Sequence, residues 1–291
     1  MDYALLPRAA VSLLRKAKRI AQLRIALGAE GGWEALEDEL GTGCLVLMYH
    51  HIGPFRPGTY PELTVSSKRF EGQIRWLARN GYVGIRPAQW LRWLRDGVAL
   101  PKKPIMIRFD DAYADIAECA LPVLLRYGFG GCVFVVTRLL GGTNAWDETK
   151  GSGTLRLLSA DQIRYWSGNG IEFGAHSRTH ADLTKLNPGQ LTDEVIGSKR
   201  DLEDLLGSPV TSFAYPYGRH NAAALEMVRA NFGLGFGTME GINFVHSDRH
   251  LLRRIYVGPH DTLLEFALSI RWGGREGARG TRLRGAAAAE N

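Results

Sequence analysis

Short apolar runs alternate with amphipathic ones from residue 45 to residue 257, and this rhythm restricts the fold more than any other feature of the chain. Residues 45–49, 105–109, 133–137, 171–175, 212–215, 234–237 and 254–257 read as strands. Between them, residues 70–80, 87–96, 117–127, 160–169, 191–206 and 222–231 carry apolar side chains at helical spacing. Ser159 stands where an N-cap belongs, and Gly128 and Gly207 stand where left-handed C-terminal residues belong. Such alternation builds a parallel sheet covered by helices. Seven strands is one short of the common eightfold barrel. The expected fold is therefore α/β, a distorted (β/α)7-type barrel forming a single domain over residues 44–272.

Two of the apolar runs end in groups that carry chemistry. Arg108-Phe109-Asp110-Asp111 closes one, and His176-Ser177-Arg178-Thr179-His180 closes another. An Asp-Asp pair alone most often marks a solvated loop or a helix cap. A His-x3-His spacing alone recurs by chance. Both groups, however, lie where a strand stops, and α/β folds gather function at the carboxyl ends of their strands. One or two carboxylates and two imidazoles suffice for a metal site with an open position and a general base beside it. The pattern predicts a metal-dependent hydrolase.

Composition narrows the alternatives. A chain of 291 residues with 45% hydrophobic and 23% charged residues has enough apolar material for one large core. The net charge of +6 is concentrated toward the two ends, and no nucleic-acid-binding motif accompanies it, so no nucleic-acid partner is expected. Cys44, Cys119 and Cys132 are widely spaced in apolar surroundings and read as small buried hydrophobes of a reducing compartment. No run approaches the roughly 18 apolar residues of a membrane span. Basic residues interrupt every apolar stretch at the amino end, as no signal peptide would allow, and a cytoplasmic location is expected.

Residues 1–43 read as a basic amphipathic helix followed by a linker, with Leu6, Leu13, Leu14, Ala17, Ala21 and Ile25 on one face. Such a helix either packs over the barrel with its charges in water or lies on an anionic membrane surface through residues 1–28. Residues 273–291 lose all pattern and read as a disordered basic tail.

Taken in order, Met48-Tyr49-His50, Phe109-Asp110-Asp111, His176-Ser177-x-x-His180, Phe213-Ala214-Tyr215-Pro216-Tyr217-Gly218 and Leu252-Arg253-Arg254-Ile255 resemble the polysaccharide deacetylases, the NodB-homology group of carbohydrate esterases. The resemblance implies that Asp111, His176 and His180 ligate a divalent metal, Zn²⁺ before Co²⁺ or Ni²⁺, and that Asp110 is the general base. It implies that the backbone N–H of Tyr217 holds the developing oxyanion. It also implies that His50, rather than His51, faces the cleft to contact substrate or protonate the leaving amine. Tyr215 and Pro216 join the substrate side of the site on the same grounds. Trp146, in a glycine-rich loop, either stacks on a sugar face or folds back as a lid.

The chain also departs from the family pattern. Arg108 and Ala112 flank the aspartates where Thr and Gly are usual, and Arg108 is expected to point away from the metal. Ala214 stands where an arginine normally orients the base, and Arg254 is the candidate replacement. No Leu-x-His motif appears late in the chain, and His246, His250 and His260 lack its context. The implied activity is removal of N-acetyl, or less readily O-acetyl, groups from a glycan or a lipid- or nucleotide-linked precursor. The alternatives are hydrolysis of other non-peptide C–N bonds and an inactive carbohydrate-binding protein of the same fold. Neither sugar nor oligomeric state is legible.

Overall fold

The computed structural model describes residues 42–55, 60–150 and 154–274. The readings made for the basic amino-terminal segment and the tail beyond residue 274 lie outside them. In chain order the strands are β1 (Leu45–Tyr49), β2 (His51–Ile52), β3 (Thr64–Val65), β4 (Val83–Gly84), β5 (Pro104–Phe109), β6 (Gly131–Val135), β7 (Ile171–Ala175), β8 (Ser212–Ala214), β9 (Leu234–Glu240) and β10 (Leu252–Tyr256). The helices are α1 (Ser67–Arg79), α2 (Pro87–Asp96), α3 (Asp115–Cys119), α4 (Leu121–Arg126), α5 (Ala160–Gly168), α6 (Pro188–Leu206), α7 (Ala222–Asn231) and α8 (Leu263–Trp272).

Seven parallel strands close a barrel in the order β1-β10-β9-β8-β7-β6-β5, with β5 returning to β1. The closing pair is regular along its length, from Leu45 opposite Ile105 to Tyr49 opposite Phe109. The other edge of β5 is shared. Its first residues pair with β4 (Val83 opposite Pro104), and only its last pair with β6 (Arg108 opposite Cys132). That division is the distortion the strand count implied. A separate parallel pair, β2 with β3, sits outside the barrel.

Alternation along each strand sorts side chains into two cores. Val46, Met106, Cys132, Phe134, Ala214 and Phe236 face inward, and Ile85, just after β4, joins them with Trp90 and Leu91 of α2, closing the end where the strands begin. Leu47, Ile107, Val133, Val135 and Phe173 face outward, under Phe70, Ile74, Leu121, Ile163 and Val195 of the surrounding helices. With one end plugged, the carboxyl ends of the strands are left to build the site.

The local signals act as expected. Ser159 accepts the Gln162 N–H, and Gly128 and Gly207 have φ of 74° and 65°. The single helix expected over residues 117–127 is instead two, α3 and α4, broken at Ala120. Pro122 explains the break, since its ring clashes with the carbonyl four residues earlier and it offers no N–H. The unforeseen α8 opens on a Thr262–Glu265 capping box, which is a readable start signal.

Candidate active site

The reactive groups sit where the ladders end. The Asp110 N–H donates to the Tyr49 carbonyl at 3.0 Å, and the His176 N–H to the Val135 carbonyl at 2.9 Å. The chain then turns sharply through left-handed residues: Asp111 (φ 72°), Ala112 (58°), Ser177 (61°), His180 (62°) and Tyr217 (58°). Non-glycine residues in this region cost of order 1 kcal/mol each and gather at functional sites. Ala112 shows why glycine is usual there: its Cβ makes a left-handed conformation expensive.

Asp111, His176 and His180 converge. Their ligand atoms lie within 4.8 Å of one another, and all three residues are buried. Asp111 Oδ1 is 3.3 Å from His176 Nε2 and 3.2 Å from His180 Nε2. His176 Nδ1–H donates to the Ala214 carbonyl at 2.8 Å, which aims Nε2 at Asp111. Asp111 Oδ1 and His180 Nδ1 are buried without a hydrogen bond among the described residues. Burial pushes the Asp111 carboxyl up, but the two imidazoles more than offset it, and it stays well below the usual carboxylate range. Burial holds the His180 imidazole down, in its neutral, ligating form. One carboxylate and two imidazoles, buried and convergent, are the donor set that a catalytic zinc-type site requires.

The loop carrying both histidines is held from α6. Glu194 accepts the backbone N–H groups of Arg178 and Thr179 at 2.8 and 2.9 Å and the Thr179 hydroxyl at 2.6 Å. The Arg178 guanidinium spans Asp201 and Asp193, and Thr137 donates to Asp201.

Asp110 lies beside this triad, and its surroundings correct two expectations. Arg108 does not point away. It shares the parity of Asp110 along the strand, faces the barrel interior with 1% exposure, and donates from Nη2 to Asp110 Oδ2 at 2.5 Å. Arg254, the expected partner of the base, makes no hydrogen bond to it, and its guanidinium lies 5.3 Å from the Tyr256 ring instead. Burial pushes the Asp110 carboxyl up, while Arg108 and then His176 and His50 bring it below its ordinary value.

These groups form one wall of a cleft of about 440 Å³, which His50, Trp146, Tyr215, Tyr217 and Arg254 also line. His50 faces this space, and burial is the main influence lowering its pKa. His51 turns the other way, to Asp115 at 2.9 Å and onto the Tyr113 ring. Trp146 lies against the His180 ring, with centroids 4.5 Å apart, and Tyr217 meets the same ring edge-on at 4.5 Å. Tyr217 keeps 41% of its surface exposed, whereas Tyr215 is buried against Phe213. Pro216 is not part of the cleft wall; it is buried and shapes the turn. His246, His250 and His260 do not line the cleft either, and His250 Nε2 meets the Phe232 carbonyl at 3.1 Å. The sequence reading missed Tyr60, Glu62 and Tyr113 in the cleft wall, and nothing in their local spacing marks them.

A family model described as polysaccharide deacetylase matches residues 97–234, the span that carries Asp110, Asp111, both histidines and Tyr217. Over that span the chain is a homologue of the polysaccharide deacetylases. Among curated proteins it is 27% identical over 215 residues to YxkH of Bacillus subtilis (strain 168), covering 74% of this chain and 71% of that one. It is 26% identical over 221 residues to the poly-β-1,6-N-acetyl-D-glucosamine N-deacetylase of Staphylococcus aureus (strain MRSA252), covering 72% of each. Among solved structures, the Streptococcus pyogenes deacetylase PplD in complex with acetate superposes with a TM-score of 0.69 at 27% identity, covering 79% of this chain and 98% of that one. In this deacetylase homologue, His50 and Arg254 fall outside the matched span, although the barrel's closure brings both to the same cleft.

Proposed function

We propose that the protein is a divalent-metal-dependent N-deacetylase of an N-acetylated glycan or glycan precursor. The observation that carries this reading is the buried Asp111–His176–His180 donor set with a second, differently held carboxylate, Asp110, in the same cleft. The named activity of the Staphylococcus aureus relative supports an N-acetylglucosamine polymer as the substrate class.

Asp111, His176 and His180 would hold the cation, Zn²⁺ by the chemistry of the donor set. When bound, it polarises the acetyl carbonyl and acidifies the attacking water. Asp110 takes the proton from that water as general base. The Tyr217 N–H stabilises the oxygen on which negative charge develops. His50 gives a proton to the departing amine, being the one imidazole of the cleft wall besides the two ligands. Trp146 and Tyr217 offer aromatic faces to the sugar. Acetate release from β-1,6- and β-1,4-linked N-acetylglucosamine oligomers, and from O-acetylated sugars, tests the reading. Release from an N-acetylated oligomer by the zinc-loaded protein is expected, and release from none of them would contradict it.

We further propose a cytoplasmic enzyme that meets the inner membrane face through residues 1–28, on the strength of the basic and apolar pattern there. Flotation with anionic liposomes should be lost on deleting residues 1–28, and unchanged flotation would refute the contact.

A further inference from the structure

We propose that Arg108 is the positioning residue of the catalytic base, fixing Asp110 by one carboxylate oxygen so that the other is left to take the proton. This rests on the deacetylase reading above. Arg108 and Asp110 are two residues apart at the end of β5, so both project inward, and the guanidinium reaches Asp110 Oδ2 at 2.5 Å. Asp110 Oδ1 is buried and has no hydrogen-bond partner among the described residues. The two oxygens of one carboxylate are thereby made unequal: Oδ2 is anchored and Oδ1 is available.

Arg108 itself is held on several sides. Nη1 donates to the Gly237 carbonyl at 3.3 Å, Nη2 lies 3.3 Å from Met48 Sδ, and the guanidinium lies 5.4 Å from the Phe134 ring and 5.5 Å from the Phe236 ring. Planar, always charged and boxed by two aromatic rings, it has little freedom to carry Asp110 elsewhere. It does not line the cleft, whereas Asp110 does, so it acts on substrate only through that aspartate. The second inward guanidinium, Arg254, lines the cleft and makes no bond to Asp110.

The test compares the wild-type protein with Arg108→Met and Arg108→Lys, measuring bound zinc, kcat and KM on one N-acetylglucosamine oligomer. Both variants are expected to keep wild-type zinc and a KM within about threefold, because Arg108 lies outside the cleft wall. Arg108→Met should lose kcat about 100-fold, the size of effect seen when a group supporting reactive residues is removed, and Arg108→Lys about tenfold. A merely structural ion pair would not be rescued in kcat alone by lysine. Arg108→Met with kcat within threefold of wild type, or Arg108→Lys no better than Arg108→Met, would overturn the assignment. If Arg108→Met does not fold, Arg108→Gln takes its place and is read against Arg108→Lys by the same limits. Failure of the wild-type protein to release acetate would instead count against the deacetylase reading itself.

Discussion

Asp110 and Asp111 are chain neighbours with different surroundings, and backbone handedness separates them. Asp110 still belongs to the ladder of β5 and faces Arg108, whereas Asp111, at φ 72°, turns its carboxylate to His176 and His180. If these surroundings set their roles, Asp110→Asn should keep bound zinc and lose kcat by about 10²–10⁴-fold, as measured by acetate release beside elemental analysis. Loss of zinc in that variant would mean that Asp110 is a ligand. The candidate ligand set was legible because two strand ends carry carboxylates and imidazoles together, and the family resemblance chose Asp111 over Asp110. The direction of Arg108 was misread because its side was judged against the metal rather than against Asp110. Alternation relates Arg108 to Asp110, and the left-handed turn at Asp111 takes the ligand out of that count.

At the scale of elements, the site depends on how α6 holds the loop after β7. Glu194 is buried and receives three hydrogen bonds from Arg178 and Thr179, so a helix fixes the spacing of two candidate ligands it does not itself supply. Glu194→Ala should leave the helical signal intact and weaken zinc affinity about 10- to 100-fold in a competition titration with a chelator. Unchanged affinity would show that the left-handed turns alone hold the loop. Nothing in the sequence pattern marked this contact, since Glu194 reads as one more charged residue of an amphipathic helix. Strands, helices and most caps were readable because their periods are local. The split at Ala120 and the sharing of one β5 edge between β4 and β6 depend on a proline clash and on strand pairing across the chain.

For the whole molecule, the barrel is an apolar interior with ionisable groups at both ends. At the plugged end, burial pushes Glu172 up to about 7, only partly opposed by the Ala88 N–H, Arg86 and Arg92. Between its ordinary value of 4.5 and about 7, the unfolded chain releases a proton that the folded barrel keeps. Stability from this group is therefore lost as pH rises through that window. Glu172→Gln should raise stability by roughly 1–3 kcal/mol at pH 8 and leave it nearly unchanged at pH 4, as read from denaturant unfolding. Equal effects at both pH values would contradict the buried-proton account. At the open end, everything proposed here depends on a metal held by three residues that the barrel gathers from two separate loops. The direct measurement is the metal content of the purified, zinc-incubated protein beside Asp111→Ala. About one zinc per chain, lost in the variant, is the expected result; no bound metal in either protein would contradict the account.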